Sequence, residues 1–154
     1  MDAGRLFRFD GGVVAEASPI LEALIQASRP PLQLITVTFR NKPNQECVHL
    51  QANHRVNLGE YILCVGVRMP NNDAIPLQSY LFWFGNHIVD PETWVMVYTG
   101  PGEPVLTTQT SDKKPALVFH WNQPHTIFSD NQLVPCLIHM DVSGTQIGHK
   151  VDQV

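Results

Sequence analysis

Leu32-Gln33-Leu34-Ile35-Thr36-Val37-Thr38-Phe39 decides the fold class. Its β-branched and apolar side chains follow a period of two, and the polar cluster Arg40-Asn41-Lys42-Pro43-Asn44 stops it, the pattern of a strand ended by a turn. The chain just before it reads differently. Ser18 can cap a helix, Pro19 suits the first helical position, and Ile20, Leu21, Leu24 and Ile25 fall on one helical face. Ser28-Arg29-Pro30-Pro31 ends that helix, because proline offers no N–H and forces the residue before it into extended backbone. Further upstream, Arg5–Phe9 and Val13–Ala15 flank Asp10-Gly11-Gly12 as a small hairpin. Residues 1–31 are expected to pack, as hairpin and helix, on the remainder of a single domain spanning residues 1–154.

Downstream of Phe39 the alternating pattern recurs over Cys47–Leu50, Leu58–Val67, Ser79–Phe84, Thr93–Thr99, Ala116–Trp121, Leu133–His139 and Thr145–His149. Turn clusters separate these runs, among them Pro70-Asn71-Asn72-Asp73, Gly85-Asn86-His87, Gly100–Pro104, Ser111–Pro115, Ser129-Asp130-Asn131 and Ser143-Gly144. Eight or nine short strands with such turns predict an all-β sandwich carrying one short N-terminal helix. Twelve prolines fit that reading, since sandwiches accept proline in turns and on edge strands.

Composition narrows the functional classes. The 154 residues suffice for one domain, and 44% hydrophobic with 16% charged content excludes a largely disordered chain. Ten basic against fourteen acidic residues give a net charge of −4, which argues against nucleic acid as the main partner. No run reaches the roughly 18 apolar residues of a membrane-spanning helix, and the N-terminus lacks the pattern of a signal peptide. Cys47, Cys64 and Cys136 contain no CxxC and read as buried free thiols, so the cytoplasm is the default compartment.

Candidate chemistry is sparse. Seven histidines show no HExxH-type grouping. A metal-assisted hydrolase, or another small-molecule enzyme, would have to assemble His120, His125 and His139 with a carboxylate from separate segments. Cys64 and Cys136 lie in apolar runs, where a small hydrophobe is the expected role. Gly100-Pro101-Gly102-Glu103-Pro104 offers neither the N–H donors nor the lysine of a phosphate loop. Asp90 and Glu92 merely flank Pro91 in a turn. Trp83, Trp94 and Trp121 suggest a third reading, carbohydrate stacking, although aromatic residues also dominate sandwich cores. No catalytic residue, cofactor or metal ligand is therefore assigned.

The strand Tyr80-Leu81-Phe82-Trp83-Phe84 carries large apolar side chains on both parities. One parity must face the core, and the other needs a cover: the N-terminal helix, a loop or another chain. Protein contact is expected through the sandwich-end loops around Gly85–Pro91 and Gly100–Pro104 or through the aromatic strand face, Tyr80, Phe82 and Phe84 with Asn86 and His87 of the following turn. Its partner would be another protein or a second copy of the chain.

Within residues 57–149, about 60% of the sequence, Asn57-Leu58-Gly59-Glu60-Tyr61-Ile62-Leu63 resembles the Asp-Leu-Ser-Gly-Trp-x-Leu strand opening of lamin-tail-like domains. The stretch Phe82–Gly100, with Asp90-Pro91-Glu92 inside it, is similar to their Leu-x-Pro-Gly turn and following apolar strand. Trp121, Thr126–Asn131, Leu133–Asp141 and Gly144–Gly148 are similar to their C-terminal hairpin. Tyr61 stands where the family has Trp, Glu92 where it has the turn Gly, Asn131-Gln132 where Gly-Asp is usual, and His149 where the last acidic residue is usual. The resemblance implies an immunoglobulin-like sandwich acting as an interaction module without a catalytic set, and no functional residue transfers with it.

Overall fold

Strand-forming residues dominate the computed structural model, which describes residues 18–140. The helix α1 (Pro19–Ser28) comes first. Strands β1 (Leu32–Thr38), β2 (Cys47–Ala52), β3 (Val56–Asn57), β4 (Tyr61–Arg68) and β5 (Ala74–Trp83) make the first half. Strands β6 (Ile88–Val89), β7 (Trp94–Tyr98), β8 (Val105–Gln109), β9 (Pro115–His120) and β10 (Leu133–His139) make the second. The all-β class with a short N-terminal helix is therefore what the sequence specifies. The described residues hold ten strands rather than eight or nine. Two-residue β3 and β6 are too short to show alternation, and exposed, threonine-rich β8 lacks an apolar face. The expected hairpin over Arg5–Ala15 and the run Thr145–His149 lie outside the described residues.

Two larger sheets face each other. The larger has the order β1-β2-β7-β9-β8, with β9 parallel to β7 and antiparallel to β8. The smaller has the order β10-β4-β5 and is antiparallel throughout. Between them Val48, Leu50, Leu63, Val65, Val95, Val97 and Phe128 are fully buried. Each such side chain contributes about 1.5–3 kcal/mol relative to exposure. An aromatic seam joins β5 to β9: Phe82 meets Phe84, Phe119 and Trp121 at ring-centroid separations of 5.3, 6.0 and 5.7 Å.

Helix α1 does not lie on the sheets as expected. It buries none of its residues, and Ile20, Leu21, Leu24 and Ile25 stay 72, 50, 62 and 47% exposed. Pro19 occupies its first turn, but Ser18 makes no side-chain capping bond. The reason for its separation is the exit from the helix. Asn53 Nδ2 donates to the Pro30 carbonyl at 2.9 Å, and the Asn53 and His54 N–H groups both donate to the Pro31 carbonyl. These bonds fix two prolines in an extended path that carries the helix away from its own sheets.

Candidate interaction surface

Because successive side chains of a strand point to opposite faces, the aromatic run of β5 splits into two sets. Phe84 is 3% exposed and Phe82 is half-buried in the aromatic seam. Tyr80 points to the same inner side, its hydroxyl 3.4 Å from His125 Nε2. Leu81 and Trp83 are each 56% exposed. The outward parity is thus Leu81 and Trp83, which corrects the expectation that Tyr80, Phe82 and Phe84 form the open face. The core needs the more continuous aromatic row to bridge β5 to β9, so that row turns inward.

The neighbouring strands complete the outer face. Ile62 of β4 pairs with Trp83 on one side and with Ile138 of β10 on the other. Cys64 likewise pairs with Leu81 and with Cys136. Ile138 is 38% exposed, whereas Cys64 lies buried beneath its neighbours. The two rows therefore read Ile138-Ile62-Trp83 and Cys136-Cys64-Leu81, without a charged or polar side chain among them. Trp83 is held in place by its indole N–H, which donates to the Gly59 carbonyl at 3.0 Å. β5 is also the edge strand of its sheet, and Pro76 removes one donor from that edge.

Asn86 is exposed, and its side-chain oxygen sits over Gly59 where any larger residue would collide. It also accepts from Asn57 Nδ2 at 3.4 Å. His87 is half-buried, its ring 5.7 Å from that of Phe119. Asn86 and His87 thus brace the turn that follows β5. Of the five residues expected at the surface, Asn86 is the exposed one.

The other candidate groups are dispersed. His120 stacks on Tyr98 at 5.4 Å, while His139 stacks on Tyr61 at 4.7 Å with Glu60 3.6 Å away. Among the described residues, no three His, Cys, Asp or Glu side chains come together as metal ligands. Trp121 is buried in the core, and Trp94 is half-buried edge-on to His49. A cleft of about 420 Å³ near β1 and β10 is lined by Leu34, Val37, Arg40, Arg68 and Asp73, among others. Its Arg40 guanidinium donates to the Leu133 carbonyl at 3.0 Å, a structural use. Burial pushes the Cys47 thiol up to about 12 and the Cys64 thiol up to about 11, the opposite of nucleophile activation.

Glu46 escaped sequence reasoning. Its carboxylate is fully buried and accepts from Thr99 Oγ1 at 2.9 Å, Ile127 N at 2.7 Å, Phe128 N at 3.1 Å and Asn41 N at 3.0 Å. Four neutral donors drawn from three loops solvate the group in place of water. A lone Glu before a strand carries no local pattern that announces such a role. Its donors come from segments 81–82 residues away, as well as from Asn41 and Thr99 nearer in sequence.

Among the described residues, no helix is long and apolar enough to cross a membrane. No family model matches the chain, and no curated protein or solved structure matches it either.

Proposed function

We propose that the protein is a non-enzymatic binding module and that the outer face of β10-β4-β5 is its protein-docking surface. The observation carrying this reading is the pair Leu81 and Trp83, each 56% exposed in two cross-strand rows, Ile138-Ile62-Trp83 and Cys136-Cys64-Leu81, that hold only apolar side chains and thiols. Apolar patches of a few hundred Å² on soluble domains mark interaction sites, and an indole already fixed by a hydrogen bond loses little freedom on binding. The dispersed histidines and raised thiol pKa values favour binding over catalysis.

The likeness to lamin-tail-like, immunoglobulin-like domains is part of the same proposal. Glu92 supports it, since its φ of +67° is the left-handed backbone for which the family motif uses glycine. The Asn57 side chain, accepting from Gly59 N at 2.9 Å at the opening of β4, supports it too.

A photoreactive amino acid placed at Leu81 in the full chain, inside the producing cell, tests the docking surface. Discrete protein adducts at position 81, without matching adducts at exposed Leu106 on β8, are expected. Equal labelling at both positions, or none at 81, would contradict the reading.

A further inference from the structure

We propose that the occupant of the small sheet's outer face is helix α1 of a second copy of this chain, the two copies docking reciprocally. The inference rests on reading that face as a protein-docking surface, and it names the partner.

Four observations converge on it. First, an isolated helix of ten residues is marginal in water, where such helices depend on packing an apolar face. Yet Ile20, Leu21, Leu24 and Ile25 stay 72, 50, 62 and 47% exposed. Second, the small sheet presents a matching deficit in Leu81, Trp83 and Ile138, beside half-buried Ile62. A helix about 15 Å long spans a three-stranded sheet whose strands lie about 4.8 Å apart. Helix on sheet is also an ordinary way for layers to pack.

Third, the connection has no slack. The helix ends at Ser28, and β1 begins at Leu32. The three residues between have all their carbonyls engaged: Arg29 with His54 Nε2 at 3.2 Å, Pro30 with the Asn53 side chain, and Pro31 with two backbone N–H groups. Folding the helix back onto its own sheet would break these contacts. Placing it on a twofold-related copy keeps them and satisfies both deficits in each chain.

Fourth, the area suffices. A reciprocal contact buries two helix faces and two sheet faces. At about 300 Å² each, these reach the roughly 1,200 Å² at which specific interfaces begin.

Sedimentation of the full chain across a dilution series tests this, with Leu24→Asp, Trp83→Asp and control Leu106→Asp, all exposed positions. Circular dichroism melts verify folding, and Leu81→Asp replaces Trp83→Asp if that variant melts early. The expected result is a wild-type dimer, weakened at least tenfold by either Leu24→Asp or Trp83→Asp and unchanged by Leu106→Asp. An equimolar mixture of Leu24→Asp and Trp83→Asp should regain association, because the mixed dimer keeps one intact helix-on-sheet contact. A dimer lost in Trp83→Asp but kept in Leu24→Asp would overturn the helix as occupant and leave the docking face standing. Absent rescue in the mixture would overturn the reciprocal arrangement. A monomer at every concentration would overturn the inference outright, while adducts at position 81 would still judge the docking face independently.

Discussion

The two sheets finish their outer faces differently. On the larger sheet, His49 Nε2 lies 2.8 Å from Thr38 Oγ1 and Trp94 packs edge-on against the His49 ring. His120, stacked on Tyr98, is covered by the turn at Gly102, where a side chain would collide with its ring. Around His49 and His120 that face is covered by its own chain, although Ile35 and Val105 at its edge strands stay 40 and 47% exposed. On the smaller sheet, Leu81, Trp83 and Ile138 stay 56, 56 and 38% exposed, with no such cover among the described residues. Contacts made within the chain support folding, and surface left open is available for association. Burial, rather than residue type, separates the two roles.

Substitutions along β5 put the largest effect into that contrast. Phe84→Ala should destabilise by about 3–5 kcal/mol, because it empties a core site. Trp83→Ala should cost less than about 1 kcal/mol in the monomer, as expected for an exposed side chain. Denaturant midpoints of the two variants check this. Equal losses would mean that Trp83 belongs to the core. Glu46→Gln comes next, at about 1.5–3 kcal/mol, since the amide gives up charge-assisted bonds and turns a donor toward donors. The same measurement reads it.

A smaller effect distinguishes the larger sheet by pH. Burial holds the His49 imidazole below the ordinary histidine value. The unfolded chain therefore binds more protons than the folded one as pH drops through about 6.5, and stability contributed by this residue is lost in that window. His49→Gln should flatten the fall in unfolding midpoint below about pH 6.5, while Trp83→Ala leaves it unchanged. The smallest signal is chemical. Burial raises all three thiols, so Cys47 and Cys64 should resist a disulfide reagent at neutral pH in the folded chain. All three should react after denaturation.

Much of this architecture was legible because it is local. The alternation in Leu32–Phe39 and Leu133–His139 marks β1 and β10 to within a residue. Proline at 19 and at 30–31 brackets the helix. The order of β9 between β7 and β8 was not legible, since parallel pairing across an intervening strand leaves no periodic trace. The doubled apolar parity of β5 announced an unusual strand without saying which parity faced out. That depended on Phe119 and Trp121, 35 to 39 residues downstream, taking Phe82 and Phe84 inward. The exposed helix was equally hidden, because its placement follows from what Asn53 and His54 do to the Pro30–Pro31 carbonyls.

Fluorine NMR of the full chain carrying 5-fluorotryptophan tests the open face most directly. Trp83, Trp94 and Trp121 supply three resonances, assigned by single Trp→Phe substitutions. As protein concentration rises, the Trp83 resonance should shift or broaden while those of Trp94 and Trp121 hold still. A Trp83 resonance indifferent to concentration, or all three moving together, would contradict self-association through that face.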